Sequence, residues 1–350
     1  MGAAAYGKCD ALLVTNLTNV RWLTGLASSN AGVLVTAEEI ALATDGRYQQ
    51  HAANETPDCE LIVTRNVAAG LLDWCGRHGV DQVGFESSHV TVSELAIWNP
   101  LAASHGIKLI PIDPLIEELR EVKDPDETAL LDQACEISVA ALEVVLPKIF
   151  VGMTEVHLAR TLELAMADLG ADDRAFETIV ASGPNSAIPH HAPTIRPIGV
   201  GDLLKIDFGA MVGGYHADCT RTFVTGAQPT QWQAEIHSVV AASAQAGRQA
   251  LVAGVEIAQV DAAARNIVAD AGYGDQFIHG LGHGVGLEIH ESPLIADSNA
   301  GILEAGVVVT IEPGVYLPGI GGVRIEDTCA VGNQAMTVLT PMDRELTRVG

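Results

Sequence analysis

The sequence predicts an α+β protein with two domains, a smaller α/β domain followed by a larger one. Short apolar runs alternate with helical stretches over residues 10–120, which is typical of a small domain with a mixed sheet. Further along the chain, two pairs of helical segments alternate with two blocks of strands. Between these halves, the polar run EELREVKDPDE places Pro125 where a helix can begin. We therefore expect domains at residues 1–122 and 123–350.

The composition limits the partners that the protein can have. The chain carries 44 acidic and 19 basic residues, so its formal net charge of −25 argues against nucleic acid or an anionic membrane as a partner. Six scattered cysteines without a CxxC spacing indicate free thiols in a reducing compartment. The sequence shows neither a signal-peptide pattern nor an apolar run long enough to span a membrane. We expect a cytoplasmic protein.

Each element of the first domain is predicted from a local signal. One helix ends at Gly79, and a second is interrupted at Pro100. The domain contains no GxGxxG or P-loop pattern and no catalytic constellation, so we expect a structural or oligomerisation role for it. The predicted strands are DALLVT, AGVLVTAEE, EIALATD, CELIVT, DQVGFE and IKLIPI.

Helix signals in the second domain are stronger. Thr154 can cap one helix, and Thr230 with Gln233 forms a capping box for another. We expect helices over about 126–149, 154–169, 230–253 and 260–271. The apolar side of the first helix is predicted to consist of Leu130, Ala134, Ile137, Ala141, Val144 and Val145.

Two aspartates lie in apolar strands that form a predicted hairpin. LLKIDFGAM and YHADCTRTFV are separated by Val212, Gly213 and Gly214, which indicates a tight turn. If Val212 and Gly213 are the turn residues, Asp207 and Asp218 face each other across the ladder, with Cβ atoms about 5 Å apart. Two carboxylates that close repel each other unless a cation lies between them.

Two glutamates and a histidine extend this acidic group. Glu312 ends the strand VVVTIE, Glu326 shares a strand face with Arg324, and His283 lies in the glycine-rich run HGLGHGVG. Taken alone, each acid could lie on a solvated face and the histidine could be structural. Together they favour a metal site, because acids on the inner faces of apolar strands need a counter-charge. Such an oxygen-rich donor set suits Mn²⁺ and also holds Co²⁺ or Zn²⁺.

The motifs that carry these residues resemble a known family. IDFGA, HADCTRT, GHGVGLEIHE, IEPG and VRIED resemble the pita-bread metallopeptidases, which include prolidase, aminopeptidase P and methionine aminopeptidase. ASGPNSAIPHH resembles the segment of that family that carries a substrate-side histidine. The resemblance is specific over residues 125–345 and looser before them. It implies a C-terminal pita-bread (creatinase/aminopeptidase) domain preceded by a smaller α/β creatinase-like domain, and a homodimer.

The resemblance also implies roles for individual residues. His190, rather than His191, matches the substrate-side histidine, and His290 matches the residue that contacts the scissile carbonyl. His279 matches a residue of the proline pocket, and Arg324 would support a ligand carboxylate; each of these histidines could instead be structural, and Arg324 could form an ordinary ion pair. Glu312 is the candidate general base. The implied ligands of two divalent metal ions are Asp207, Asp218, His283, Glu312 and Glu326.

The implied reaction is hydrolysis of the bond between an N-terminal residue and a following proline. The substrates would be short peptides with proline at the second position. A prolidase cleaves dipeptides and must bind the carboxylate next to the proline; some prolidases have a basic residue four positions after the histidine equivalent to His290. Here that position is Leu294, which favours an Xaa-Pro aminopeptidase, with Xaa-Pro dipeptidase as the alternative. A metal-free creatinase-like enzyme and a non-catalytic binding protein are remoter alternatives.

Overall fold

The computed structural model of the chain describes residues 9–350. It divides between Arg120 and Glu121 into two compact units. Each unit contains its own clusters of buried apolar side chains. Within the described range, no helix combines the length and apolar character needed to cross a membrane.

The first unit, over residues 9–120, is a mixed sheet with helices. Its strands are β1 (Ala11–Val14), β2 (Ala31–Thr36), β3 (Ile40–Thr44), β4 (Glu60–Val63), β5 (Gln82–Glu86) and β6 (Lys108–Ile112). Its helices are α1 (Leu17–Thr24), α2 (Gln49–Glu55), α3 (Val67–His78), α4 (Val92–Ser104) and α5 (Ile116–Glu121), the last of which ends one residue past the division between the units.

The strand order of this sheet is β4-β3-β2-β1-β5-β6. Strands β1, β2 and β3 pair antiparallel, whereas β4, β5 and β6 each pair parallel to their neighbours. All six predicted strands are present, and Gly79 ends α3 in the left-handed conformation. The predicted interruption at Pro100 is wrong, because α4 continues through it to Ser104. Trp98 and Ala102 on either side of the proline are buried, so packing holds the helix although one hydrogen bond is lost.

The second unit contains two helix pairs and two main sheets. The helices are α6 (Pro125–Val145), α7 (Glu155–Asp168), α8 (Gln231–Ala250) and α9 (Ile257–Asp270). The strands up to residue 225 are β7 (Asp173–Arg174), β8 (Ile179–Ser182), β9 (Leu203–Phe208), β10 (Ala210–Val212), β11 (Tyr215–His216) and β12 (Cys219–Thr225). The later strands are β13 (Gly282–Gly284), β14 (Glu291–Ile295), β15 (Val308–Ile311), β16 (Gly314–Leu317), β17 (Gly321–Arg324), β18 (Asp327–Ala330), β19 (Thr337–Val338) and β20 (Arg348–Val349).

Each helix pair covers one main sheet. One buried cluster joins α6 and α7 to the sheet of order β20-β12-β9-β8. The other joins α8 and α9 to the sheet of order β14-β13-β15-β18-β19 and to the β16-β17 ribbon. A third small sheet has the order β11-β10-β7. The predicted alternation of helix pairs and strand blocks is therefore present.

Helix α6 differs in detail from its prediction. It begins with Asp124 as its N-cap, but its α-helical part ends at Val145, and a 3-10 turn continues over Leu146–Lys148. Val144, predicted on the apolar side, is 46% exposed. The buried face is rotated toward Leu131 and Leu142. Periodicity alone does not separate Val144 from its neighbour Val145, and only Val145 is buried.

The hairpin that carries Asp207 has a different register from the predicted one. Gly213 and Gly214, both with positive φ angles of 57° and 84°, form the turn. This is the pattern of a type I′ turn, which glycine adopts without a steric penalty. In the resulting register Asp207 faces Thr220, so the predicted direct pairing with Asp218 is wrong. Asp218 lies two positions along, just before β12 begins.

Candidate metal centre and substrate cavities

Ends and edges of five strands deliver the five predicted ligands to one place. Asp207 lies within β9, and Asp218 directly precedes β12. Glu312 directly follows β15, and Glu326 occupies the break between β17 and β18. His283 is the central residue of β13.

The glycines on both sides of His283 are required by close backbone approach. A Cβ atom on Gly282 would lie 2.0 Å from the Thr310 carbonyl oxygen. One on Gly284 would lie 2.2 Å from the Ser292 carbonyl oxygen. The glycine-rich run is therefore a strand pressed between β14 and β15, and this packing places the imidazole in the acidic cluster.

The cluster has the spacing of a metal site. Asp218, His283 and Glu326 each offer a ligand atom, and these atoms lie within 4.8 Å of one another. Nε2 of His283 lies 3.6 Å from Asp218 Oδ2 and 3.4 Å from Glu312 Oε1. Nδ1 of His283 lies 3.0 Å from the Gly284 carbonyl, which assigns the proton to Nδ1. The lone pair of Nε2 is then left facing carboxylate oxygens, an arrangement that a cation between them stabilises.

The electrostatics of the metal-free cluster favour a bound cation as well. Burial, followed by repulsion from Glu326 and Asp207, raises the pKa of Asp218 well above its usual range. Burial likewise raises the pKa of Glu326, and it raises the pKa of Glu312 to about 8. In Asp207, Oδ1 is buried without a hydrogen-bond partner. A divalent cation would bind the unpaired Asp207 oxygen and offset the repulsion between the buried acids. These residues therefore fit a metal site.

Arg324 supports the cluster from beneath. Its side chain is buried, and its Nη2 pairs with Asp207 Oδ2. Its Nε donates to Thr220 Oγ1 at 3.1 Å, and Thr220 in turn donates to Glu326 Oε2 at 2.6 Å. One guanidinium therefore orients two of the acids, in the manner expected of a residue that supports metal ligands.

Two adjoining cavities open onto this cluster. The first, of about 270 Å³, is lined by the acidic cluster and by apolar side chains that include Phe176, Ile179 and Ile289. The second, of about 320 Å³, is lined in part by His279, Ile278 and Leu294. Five of the predicted site residues line both cavities. They are His190, His283, His290, Glu312 and Arg324.

His279 belongs to a directed chain of hydrogen bonds at the second cavity. Its Nδ1 lies 2.8 Å from the Gly280 carbonyl and its Nε2 lies 2.9 Å from Tyr316 Oη. Because Nδ1 faces a carbonyl and carries the proton, Tyr316 Oη donates to Nε2 of His279, and it accepts from Arg324 Nη1 at 2.8 Å. Burial, with the nearby Arg324 charge, lowers the pKa of His279 to about 4, so its ring is neutral at pH 7. These hydrogen bonds therefore connect the wall of the second cavity to the acidic cluster.

Comparison with known proteins places the chain in a family. Residues 129–333 match the family described as "Metallopeptidase family M24", and residues 3–122 match the "Creatinase/Prolidase N-terminal domain". The chain belongs to metallopeptidase family M24. The predicted family and the predicted fold, a pita-bread domain preceded by a creatinase-like domain, are confirmed.

Relatives of this M24 chain carry names for both substrate lengths. It is 35% identical over 340 residues to an Xaa-Pro dipeptidase from Pyrococcus horikoshii, covering 96% of this chain and 94% of the relative. The solved structure of an Xaa-Pro dipeptidase from Bacillus anthracis is similar, with a TM-score of 0.94, 33% identity and coverage of 99% and 97%. That of an X-Pro aminopeptidase from Thermotoga maritima has a TM-score of 0.90, 34% identity and coverage of 97% and 98%.

The M24 chain contains a buried carboxylate, Glu155, that the sequence did not reveal. Glu155 begins α7 and is fully buried. Its carboxylate accepts six hydrogen bonds of 2.7 to 3.0 Å. Ser182 and Thr194 each donate from the main-chain N–H and from the hydroxyl, and the side chains of Asn185 and His191 donate one each. Six donors therefore hold the segment that carries His190. Because His191 is buried against Glu155, His190 is the exposed member of this histidine pair.

Replacing Glu155 with glutamine is expected to destabilise the second unit by roughly 3 kcal/mol near pH 7, because an amide group would face donors that now contact a carboxylate. Burial alone would raise the pKa of Glu155. The hydrogen bonds, led by those from His191, Asn185 and Thr194, instead lower this pKa from its usual 4.5 to about 2. A lowered folded-state pKa contributes stability that is present above 4.5 and is lost as the pH falls toward 2. The difference between wild type and variant should therefore shrink on acidification.

Urea unfolding of both proteins between pH 3 and pH 7 measures this difference. Glu143→Gln, at an exposed glutamate of α6, is the matched control and should follow the wild type at every pH. A wild-type-to-variant difference that stays constant down to pH 3 would contradict the assigned role of the Glu155 carboxylate.

Proposed function

We propose that this M24 chain hydrolyses the peptide bond between an N-terminal residue and a following proline, with two divalent metal ions held by Asp207, Asp218, His283, Glu312 and Glu326. The observation that carries the proposal is the convergence of these buried groups with three histidines around two adjoining cavities. Mn²⁺ is the proposed metal, with Co²⁺ and Zn²⁺ as alternatives, since most of the ligand atoms are carboxylate oxygens. The homodimer and the cytoplasmic location stay predictions.

The bound metals would supply an activated water and a Lewis acid. Glu312 is the proposed general base. It would take a proton from the attacking water and pass it toward the leaving nitrogen.

The histidines are proposed to position the peptide. His190 and His290 are exposed at both cavities, where their N–H groups can donate to the scissile carbonyl. His279, held by Tyr316, offers a flat neutral ring to the proline in the second cavity. Arg324 orients Asp207 and, because it lines both cavities, is also proposed to bind the peptide.

Two substrate lengths are supported by different observations. Leu294 is 52% exposed on the second cavity, so an apolar side chain occupies the place where some prolidases have a basic residue. This favours peptides in which the proline is followed by another residue, as in an Xaa-Pro aminopeptidase. The names of the relatives support Xaa-Pro dipeptidase at least as well.

The test compares hydrolysis of Ala-Pro with that of Ala-Pro-Ala. Chelator-stripped protein should be inactive, and Mn²⁺, Co²⁺ or Zn²⁺ should restore cleavage. On the Leu294 argument, kcat/KM for the tripeptide should exceed that for the dipeptide by about tenfold, since a terminal carboxylate beside an apolar side chain lacks a partner. Leu294→Arg should shift the ratio toward the dipeptide, and Leu294→Met should leave it unchanged.

Other outcomes decide between the alternatives. A wild-type preference for Ala-Pro would make the chain an Xaa-Pro dipeptidase. Inactivity on both peptides with metal bound would redirect the proposal to other N-terminal bonds. Inactivity with no metal bound would favour a creatinase-like or non-catalytic protein and overturn the peptidase proposal.

A further inference from the structure

Lys205 is a buried lysine in the strand that carries Asp207. It is the third residue of β9, which lies between β8 and β12, and its exposed fraction is 0%. An ammonium group is costly to bury, and in proteins such a group is usually paired with a carboxylate. The Lys205 ammonium instead contacts two main-chain carbonyls and the face of an aromatic ring.

The two carbonyls belong to the residues directly before His190. Nζ of Lys205 donates to the Ile188 carbonyl at 2.7 Å and to the Pro189 carbonyl at 3.1 Å. The same Nζ lies 5.1 Å from the ring centre of Tyr316, a favourable cation–π distance. Arg324 Nη1 adds a longer contact of 3.3 Å to the Pro189 carbonyl.

This segment has little regular structure to hold it. It follows the 3-10 helix Gly183–Ala187 and contains no strand, so carbonyls in it have no ladder partners. The Glu155 hydrogen bonds anchor its far side at His191 and Thr194. His190 is therefore an exposed residue between two anchored points, one held by the buried amino group of Lys205 and the other by the buried carboxylate of Glu155.

We propose that Lys205 is a positioning residue that fixes the main chain before His190 and thereby sets the place of the His190 imidazole at the cavities. The kinetic part of this proposal rests on the function proposed above. Because Lys205 is fully buried and lines neither cavity, it acts through the segment and not on the peptide.

The first test measures the segment directly. Hydrogen exchange of amides in residues 188–194 is compared in full-length wild type, Lys205→Met and Lys148→Met. Methionine keeps the apolar stem of Lys205 but has no donor, and Lys148 is an exposed lysine of the same unit. Exchange should rise about tenfold or more in Lys205→Met and stay unchanged in Lys148→Met. Unchanged protection in Lys205→Met would overturn the proposal, whether or not the protein proves to be a peptidase.

The second test is a double-mutant cycle with His190→Ala on Ala-Pro-Ala hydrolysis. Lys205→Met should lower kcat/KM by about tenfold to a hundredfold when His190 is present, since small misplacements of a reacting group have effects of that size. In the His190→Ala background the further loss should be less than about twofold. Equal losses in both backgrounds would show that Lys205 acts elsewhere and would overturn the positioning role. A wild type that binds metal but does not cleave the peptide would count against the proposed function only.

A third variant covers the case in which Lys205→Met does not fold. Lys205→Gln keeps a donor on a side chain one atom shorter and should restore part of the protection of residues 188–194. Exchange in Lys205→Gln as slow as in the wild type supports hydrogen bonding as the cause. An increase in exchange that is no larger in residues 188–194 than in the rest of the unit would contradict it.

Discussion

Replacing Asp218 with asparagine is expected to lower kcat/KM for Ala-Pro-Ala by about 10³-fold or more and to remove at least one bound metal ion per chain. Asp218 shares the tightest part of the cluster with His283 and Glu326. A metal contributes several kcal/mol of transition-state stabilisation, and each ~1.4 kcal/mol is tenfold in rate. Steady-state kinetics and metal analysis of the purified protein measure both effects.

In the metal-free protein, the same substitution should not destabilise the fold at high pH and should make stability less dependent on pH. Burial and the charges of neighbouring acids raise the pKa of Asp218 well above its usual range. A raised folded-state pKa contributes stability that is present below the unfolded value and is lost as the pH rises through the folded value. Metal-free wild type should therefore lose stability as the pH rises above about 4, and Glu312 adds to this loss up to its pKa of about 8. Metal-free Asp218→Asn should lose less over this range.

Thermal unfolding with and without Mn²⁺ checks this prediction. At pH 8 the metal-free variant should melt at or above the metal-free wild type, whereas Mn²⁺ should raise the Tm of the wild type more than that of the variant. Asp270→Asn, at an exposed aspartate at the end of α9, is the control and should bind metal as the wild type does. Full metal content and activity in Asp218→Asn would contradict the assigned ligand role.

Replacing Asp327 with asparagine is expected to destabilise the protein by about 3–5 kcal/mol, the usual effect of breaking a buried ion pair. Asp327 is fully buried and pairs with Arg221 at 2.7 Å, Arg248 at 2.8 Å and Arg344 at 2.7 Å. These arginines come from β12, from α8 and from the segment before β20. Loss of the carboxylate leaves several guanidinium groups close together without their shared counter-charge.

The Asp327 substitution should also weaken metal binding. Arg221 Nη1 donates to the Glu326 carbonyl at 2.5 Å, so release of Arg221 loosens a proposed ligand. Urea unfolding gives the free energy of unfolding, and metal titration of the folded fraction gives the affinity. Asp270→Asn again serves as the surface control. A loss below about 1 kcal/mol would contradict a structural role for this cluster of three arginines.

Much of the fold was readable from local signals. The strands of the first unit, the capped helices of the second and the glycine stops follow from periodicity and capping, which depend on residues close in the chain. The errors occurred where packing overrides local preference. Helix α4 continues through Pro100 because its flanking residues are buried, and Val144 faces outward because α6 rotates against its sheet.

The nine residues predicted for the site all line the two cavities, and their roles stay predictions. Their geometry was less accessible. The hairpin register depended on which residues form the turn. Because the turn lies one residue later than predicted, at Gly213 and Gly214, Thr220 and not Asp218 faces Asp207.

The sequence by itself determined the residue types of the site, the family motifs that carry them and the order of the elements. Only the tertiary structure showed which charged groups stand behind these residues. Glu155, Lys205 and Asp327 make their contacts with residues far away in the chain, and no local pattern marks a side chain as buried and charged at once. Lys205 does share a strand face with Asp207, but alternation alone does not tell whether that face meets water or a second segment. Long-range packing decides this, and here it buries the Lys205 amino group and the Glu155 carboxylate on either side of His190.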